Sequence, residues 1–185
     1  MNRLVCIALV CGGLWGAGCG PAERPVSPVT AETEGRTQES WDVDLRLSEG
    51  GLPRLQLTAG YLARFDRGDS TFTRLQPAGG DPLVRAVFFD EAGGIRGRLR
   101  AGEIDYFEKD RRFEARIGVV VETETGRRLE SEIVQWDEVG RVITTPGFVR
   151  LTTPTERIEG FRLRADEDLT NYAFSRVTGS VEVEE

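Results

Sequence analysis

The residues that could carry acid–base chemistry in this chain are two pairs of carboxylates. Asp42 and Asp44 lie two positions apart, and Asp137 is followed directly by Glu138. Two acidic side chains that flank a glycosidic bond can serve as general acid and as nucleophile or base. A glycosidase is therefore one function to test against the rest of the sequence.

A second acidic group and the absence of histidine bear on metals and on catalysis. Asp166, Glu167 and Asp168 could offer carboxylate oxygens to calcium, but their spacing matches no known calcium loop, and acidic loops are usually just solvated. The chain has no histidine and a single lysine, Lys109. This removes the commonest general base, the commonest metal ligand and every Ser/His or Cys/His nucleophile pair. We expect no metal, no cofactor and no enzymatic activity.

The cysteines indicate a modification and not a disulfide framework. All three lie in the first twenty residues, at Cys6, Cys11 and Cys19, so none remains to cross-link the body of the chain. In "GAGC" the small residues before Cys19 are similar to a bacterial lipobox, in which the cysteine becomes the first residue and carries a diacylglycerol. The third residue before it, Gly16, departs from the usual apolar residue.

The N-terminal segment predicts export. Arg3 and the apolar run that follows it have the layout of a secretory signal peptide, and the run is shorter than the roughly 20 residues of a membrane span. Lipidation at Cys19, an uncleaved anchor, and secretion with a free thiol stay open. Each of them places the domain outside the cytoplasm, and the lipoprotein interpretation predicts a periplasmic domain anchored to the inner membrane.

Composition then sets the domain boundaries. Residues 1–18 are predicted to be the signal peptide, 19–40 a lipidated N terminus and flexible linker, and 41–185 a single domain. The linker is rich in Pro, Thr, Ser and Glu and cannot bury enough apolar surface to offset its ordering entropy. The net charge of −7 makes nucleic acid an improbable partner.

The domain repeats one short frame four times. In the clearest copy an apolar residue is followed by a small residue and, after a step of three, by two more apolar residues: Leu129, Ser131, Val134 and Trp136. An alternating strand pattern and a turn precede each copy, so each unit is predicted to be a β-hairpin. The other copies are Leu57, Ala59 and Leu62; Leu99, Ala101, Ile104 and Tyr106; and Ile158, Gly160, Leu163 and Ala165.

The step of three inside the frame predicts curvature. A strict period of two keeps one face of a strand buried, and a slip of one residue turns later side chains to the opposite face. A β-bulge between Ser131 and Val134, and at the matching points of the other copies, would restore the phase and bend the sheet. The prediction is an all-β, antiparallel, curved sheet that forms a half-closed trough, with no helix.

The order of motifs from the third copy onward resembles a known family. The run L-x-A/S-x-x-h-x-aromatic, D-x-x-G-R-V, a valine-containing strand, I-x-G-x-x-L-x-A-D and Y-x-F-x-x-V-x-G-x-V is similar to that of the LptC family, the periplasmic component of the lipopolysaccharide-export transporter. The likeness is close over the C-terminal third and looser from about Trp41. The matching residues are Leu129, Trp136, Asp137, Gly140, Arg141, Val149, Ile158, Gly160, Leu163, Ala165, Asp166, Tyr172, Val177, Gly179 and Val181.

The resemblance implies a function without covalent chemistry. It implies a curved β-jellyroll, a half-open sandwich whose apolar groove holds the acyl chains of lipopolysaccharide. The cargo would come from an inner-membrane, ATP-driven transporter complex and pass to a periplasmic bridging jellyroll protein. The resemblance also makes Asp42, Asp44, Asp137 and Glu138 turn and strand-edge residues and not catalytic acids.

Eleven apolar residues are the candidates for the lipid groove. Ordinary sandwich core is the alternative for each of them, because a strand's apolar face usually packs into a core. Trp136 could also lie on the outer face as a contact for a partner. The candidates are Leu99, Ile104, Val119, Val121, Leu129, Val134, Trp136, Val149, Leu151, Leu163 and Phe174.

The two ends of the domain are predicted to be exposed sheet edges. The segment from about Asn171 to Val183 alternates as a strand, with Val177, Gly179 and Val181 as candidate partner contacts, and an uncapped edge can accept a strand from another chain. The resemblance assigns this edge to the bridging protein and the N-terminal edge to the transporter. The alternative function is a non-catalytic β-scaffold lipoprotein that binds a protein through these edges.

Overall fold

The computed structural model describes residues 35–178 and 182–183. The predictions for residues 1–34, which include the signal peptide and Cys19, and for Gly179 and Val181 lie outside these residues. The described part contains thirteen strands and no helix. The strands are β1 (Arg36–Glu49), β2 (Leu52–Arg67), β3 (Ser70–Gln76), β4 (Val84–Phe89), β5 (Ile95–Ala101), β6 (Glu103–Phe107), β7 (Arg112–Thr123), β8 (Arg128–Asp137), β9 (Val142–Thr144), β10 (Phe148–Thr152), β11 (Glu156–Asp166), β12 (Tyr172–Val177) and β13 (Glu182–Val183).

The predicted fold class is confirmed. The strands of the described part form one antiparallel sheet, compatible with a β-jellyroll-like fold. The four predicted hairpins are also confirmed: β1 pairs with β2, β4 with β5, β7 with β8, and β10 with β11. The turns within these hairpins are residues 50–51, 90–94, 124–127 and 153–155.

The sheet consists of two halves that face each other. In the half that we call the first leaf, pairing runs in the order β1, β2, β4, β5, β7, β8, β10, β11. In the second leaf the order is β1, β2, β3, β6, β7, β8, β9, β11, β12. Strands β1, β2, β7, β8 and β11 run through both. Side chains of the two leaves belong to one buried apolar cluster, which places the core between them.

The strands change phase where they pass from one leaf to the other, along a line that we call the corner. On β8 the buried side chains are Leu129 in the first leaf and Val134 in the second. They are five positions apart, and because five is odd, the period of two is broken between them. On β11 the same change lies at Arg162, whose φ of 54° is in the left-handed region. The step of three in the repeated frame therefore marks the corner.

The predicted bulge is present in the β7–β8 hairpin, but the extra residue lies on the other strand. Arg116 pairs with Ile133 and Val119 pairs with Ser131, so two residues of β7 face one residue of β8. The irregular backbone is on β7, where Ile117 and Gly118 adopt positive φ of 69° and 60°. These two residues accommodate the extra position and bend the strand. The assignment of the extra residue to β8 is therefore wrong, although the phase change there is correct. At the matching points of the first and fourth copies, the pairing of β1 with β2 and of β11 with β12 shows no register shift, so the predicted bulges there are wrong.

The domain begins earlier than the composition predicts. Strand β1 starts at Arg36 and not at Trp41, and residues 36–40 pair with residues 62–65 of β2. Composition misses this because the side chains of Thr37 and Glu39 are exposed, so an edge strand can be polar at these positions. The predicted linker 19–40 therefore includes five residues of strand.

The first and last strands form the two edges of the sheet. Within the described part, β1 pairs only with β2, and β12 pairs only with β11. The predicted edge strand from about Asn171 to Val183 divides into β12 and the short β13, and both pair with β11. Both predicted edges therefore have an unpaired side among the described residues.

Candidate functional site

A cavity of about 750 Å³ lies between the two leaves. Strands β2, β4 and β5 supply its first-leaf wall, β6, β8 and β9 supply its second-leaf wall, and β7 contributes to both. Its size is within the roughly 300–1,000 Å³ that is usual for ligand pockets. The apolar side chains that line it are Leu55, Leu57, Ala86, Phe88, Phe89, Leu99, Ile104, Phe113, Ala115, Val121, Val134, Trp136 and Ile143.

Strand alternation explains why this wall is apolar. On β4, Ala86 and Phe88 are two positions apart and point inward. Arg85, the residue before Ala86, points outward and is exposed. On β5 the register places Leu99 beside Ala86. The inward face of both strands is thus apolar, and their outward face carries charge.

An aromatic group forms part of the cavity wall and connects the two leaves. The rings of Phe113 and Trp136 are stacked with centroids 5.2 Å apart, and Phe88 of the first leaf meets Trp136 edge-on at the same distance. Such pairs contribute about 0.5–1.5 kcal/mol beyond area burial. The indole nitrogen of Trp136 donates a hydrogen bond of 3.0 Å to Glu167. The ring lines the cavity and packs against the core, so it faces the interior and not the outer surface.

The structure divides the eleven predicted groove residues into two sets. Five line the cavity and six do not. The cavity-lining residues are Leu99, Ile104, Val121, Val134 and Trp136. The other six pack in or against the core between the leaves: Val119, Leu129, Val149, Leu151, Leu163 and Phe174.

The residues that face the predicted ones are not marked by the repeated frame. Phe113 is the cross-strand neighbour of Trp136, and Ala86 is the neighbour of Leu99. The signal that could have found them is hairpin pairing, because a residue directly opposite a cavity residue shares its face. Alternation in "RAVFF" also marks Ala86 and Phe88 as one face.

Charged side chains surround the opening of the cavity, which we call the mouth. The β4–β5 turn (residues 90–94) forms its first-leaf side, and the β8–β9 turn (138–141) and the start of the β11–β12 turn (167–168) form its second-leaf side. A polar rim around an apolar interior is the arrangement that suits a ligand with an apolar and a polar part. The charged lining residues are Glu49, Arg54, Asp90, Glu91, Arg96, Arg98, Glu122, Glu138, Arg141, Glu167 and Asp168.

Arg96 is bound by two carboxylates at the mouth. Its Nη1 lies 2.5 Å from Glu167, and its Nε lies 2.7 Å from Asp168. The hydrogen bond from Arg96 lowers the pKa of the Asp168 carboxyl, and the same hydrogen bond raises the pKa of the arginine. Both partners are therefore held in their charged forms.

Three of the four carboxylates that could suggest catalysis have structural partners. Asp137 accepts a hydrogen bond of 2.8 Å from the backbone nitrogen of Gly140 and so shapes the β8–β9 turn. Glu138 pairs with Arg111 at 2.7 Å. On β1, Asp44 accepts a hydrogen bond of 3.2 Å from Gln56 on the neighbouring strand.

The acidic triplet is divided among different partners. Asp166 accepts hydrogen bonds from the backbone of Thr170 and Asn171 in the β11–β12 turn. Glu167 and Asp168 face Arg96 instead. Among the described residues, no group of three or more His, Cys, Asp or Glu side chains is placed to hold a metal ion.

The predicted partner edge is described only in part. Val177 is about half exposed at the end of β12, where it pairs with Gly160 of β11. At the opposite edge, Trp41, Leu45 and Leu47 of β1 are exposed apolar residues. Both edges thus present apolar side chains to solvent.

Comparisons with known proteins provide no family assignment. No protein-family model matches the chain, and no curated protein matches it significantly. Within the part of the chain that the structure describes, no helix is long and apolar enough to cross a membrane. The function must therefore be argued from the groove, its mouth and the sheet edges.

Proposed function

We propose that this protein is a lipopolysaccharide-transport component that binds the acyl chains of its cargo in the groove between the leaves. The observation that carries the proposal is the cavity of about 750 Å³, whose wall is apolar and whose mouth is charged. Acyl chains would occupy the interior, and the sugars and phosphates would stay at the mouth in water.

The physical driving force is sufficient without chemistry. Burying one methylene group is favourable by roughly 0.8 kcal/mol, so ten buried methylenes supply about 8 kcal/mol before the cost of ordering the chain. The hydrophobic effect is also non-directional, which suits cargo with variable chains. The protein needs no catalytic residue or cofactor for this task.

The positions of the motif residues support the proposal. Trp136 lines the cavity, Asp137 and Gly140 shape the turn at the mouth, and Arg141 is part of the mouth itself. These four residues belong to the motif on which the resemblance to the LptC family is based. This part of the motif thus lies at the groove and its mouth, whereas motif residues such as Leu129, Val149 and Leu163 belong to the packed core.

The proposal extends to location and partners. The domain would be periplasmic and tethered to the inner membrane through a lipid at Cys19. The β1 edge would meet the ATP-driven transporter complex, and the β12 edge, with Val177, would meet the bridging jellyroll protein. Strand addition at both edges would keep the apolar groove continuous from one protein to the next.

Site-specific photo-crosslinking tests the groove. Photoreactive side chains at Val121 and Trp136, which line the cavity, should capture lipopolysaccharide in cells. The same group at Glu132, which is exposed near the corner, is the matched control and should capture none. Equal labelling at the three positions would show that the cargo does not bind in the groove.

One observation favours a second function, a β-scaffold lipoprotein that binds another protein through its edges. Both edge strands are unpaired on one side in the described part, and Trp41, Leu45 and Leu47 leave apolar surface exposed along β1. Native mass spectrometry of the purified protein separates the two functions. Bound lipopolysaccharide supports transport, whereas lipid-free protein that retains a protein partner supports the scaffold.

A further inference from the structure

Arg96 joins the two leaves at the end farthest from the corner. It lies on β5 in the first leaf, and its partners Glu167 and Asp168 follow β11 in the second leaf. The backbone oxygen of Arg96 accepts a hydrogen bond from the backbone nitrogen of Glu124. Glu124 directly follows β7 and is six residues after Gly118, which lies at the corner. At about 3.3 Å per residue, this point is roughly 20 Å from the corner.

The second-leaf partner is held ready for Arg96. One carboxylate oxygen of Glu167 accepts the indole hydrogen bond of Trp136 at 3.0 Å, and the other is 2.9 Å from Arg141. The Glu167 side chain is about 10% exposed, so it is more shielded from solvent than a typical surface carboxylate. Its position is thus fixed by its own leaf, and Arg96 is the group that reaches across.

Other ion pairs of the mouth stay within one leaf. Arg98 pairs with Glu124, and Arg54 pairs with Glu49, in the first leaf. Arg141 and Glu167 are both in the second leaf. Of these ion pairs between described residues, the two that Arg96 makes must break when the leaves separate at the mouth, and the other three can stay intact.

We propose that Arg96 is a gate residue, whose pairs with Glu167 and Asp168 close the mouth and limit the rate at which an amphiphile enters and leaves the groove. The proposal rests on the proposed function in that it needs a ligand in the groove. The corner acts as the hinge, because the leaves are continuous there through β7 and β8. Breaking the pairs lets the two turns of the mouth move apart.

Ligand kinetics provide the first test. The probe is N-phenyl-1-naphthylamine, which is neutral and apolar and fluoresces when it leaves water, so a change in protein charge affects it little. Arg96→Gln should accelerate both uptake and release about fivefold, since part-exposed ion pairs of this kind are worth up to about 1 kcal/mol. The amount bound at saturation and the affinity should stay close to those of the parent protein, because the gate changes the barrier and not the bound state.

Two comparisons make this test specific. Arg150→Gln removes the same charge and a pair of similar exposure with Glu159, on the outer face away from the cavity, and should leave both rates unchanged. Asp168→Asn combined with Arg96→Gln should be no faster than Arg96→Gln alone, because both changes break the same gate. Unchanged rates in Arg96→Gln, or equal acceleration in Arg150→Gln, would refute the gate.

A distance measurement tests the gate without a ligand. Spin labels carried by unnatural amino acids at Ala92 and Val139, which are exposed on opposite sides of the mouth, report its width by pulsed electron paramagnetic resonance. Arg96→Gln should shift the distance distribution to longer values, and Arg150→Gln should not. If the parent binds no probe, the proposed function fails, but the distances still decide on the gate: an unchanged distribution overturns it.

Discussion

Two leucines on the inner face of the sheet should respond very differently to the same substitution. Leu129 is fully buried between the leaves and does not line the cavity, whereas Leu99 is half-buried on the cavity wall. Both were equally good groove candidates by sequence. Leu129→Ala and Leu99→Ala remove the same atoms, so they compare a position in the packed core with a position on the cavity wall.

The magnitudes follow from what each side chain touches. Leu129→Ala leaves a new void in close packing, and such changes cost about 3–5 kcal/mol. Leu99→Ala only enlarges a cavity that already exists, so the cost is limited to part of the transfer free energy of a leucine side chain, about 1 kcal/mol. Since a domain of this size has about 5–15 kcal/mol of stability, Leu99→Ala should remain folded, and Leu129→Ala should remain folded where the parent has more than about 5 kcal/mol.

Urea unfolding followed by circular dichroism in the strand region measures both free energies of unfolding. The slope of the free energy against urea should match that of the parent protein, which shows that the comparison concerns the native state. Binding of N-phenyl-1-naphthylamine should change in Leu99→Ala and stay unchanged in folded Leu129→Ala. Equal destabilisation by the two substitutions would refute the assignment of Leu99 to a cavity wall.

Four further outcomes are expected. Gly160→Ala should lower the free energy of unfolding by more than about 2 kcal/mol in a urea titration, because a Cβ there would lie 2.4 Å from a backbone oxygen, whereas Gly147→Ala, with nothing within 4 Å, should change it little. The lowered pKa of Asp168 means that its ion pair contributes fully to stability above the ordinary pKa of 3.8 and that this contribution is lost as the pH falls through the lower pKa of the folded state, so Asp168→Asn should reduce stability by less than about 1 kcal/mol at pH 7 and by progressively less as the pH falls below 3.8. Burial, and then a hydrogen bond to a glutamate, raise the pKa of Tyr172 to about 12, so Tyr172→Phe should remove the last phenolate step in an ultraviolet titration. Cys19→Ala should release the protein into the soluble periplasmic fraction, and a variant that stays membrane-bound after a salt wash would point to an uncleaved anchor instead.

The local pattern of the sequence predicts the fold well because strand formation depends on near neighbours. Alternation and turn residues locate the four hairpins, and the step of three locates the corner between Ser131 and Val134. Pattern alone could not identify which strand carries the extra residue. That depends on the pairing of β7 with β8, where Ile117 and Gly118 adopt left-handed backbone conformations.

The start of the domain shows a different limit. Composition marks residues 36–40 as linker because they are polar, yet they form the beginning of β1. An edge strand is stabilised by backbone hydrogen bonds to one neighbour and needs few buried side chains. A polar stretch can therefore be a strand, and only its partner β2 reveals this.

The sequence by itself determined the face on which each apolar residue lies, because the side chains of a strand alternate with a period of two. It thus placed Leu99, Leu129 and Trp136 together on the inner side of the sheet. Only the tertiary structure decided that Leu129 is packed solidly while Leu99 and Trp136 border an open cavity. The physical reason is that the separation of the leaves depends on contacts between residues far apart in the chain, and the meeting of Arg96 with Glu167 across the mouth is one such contact.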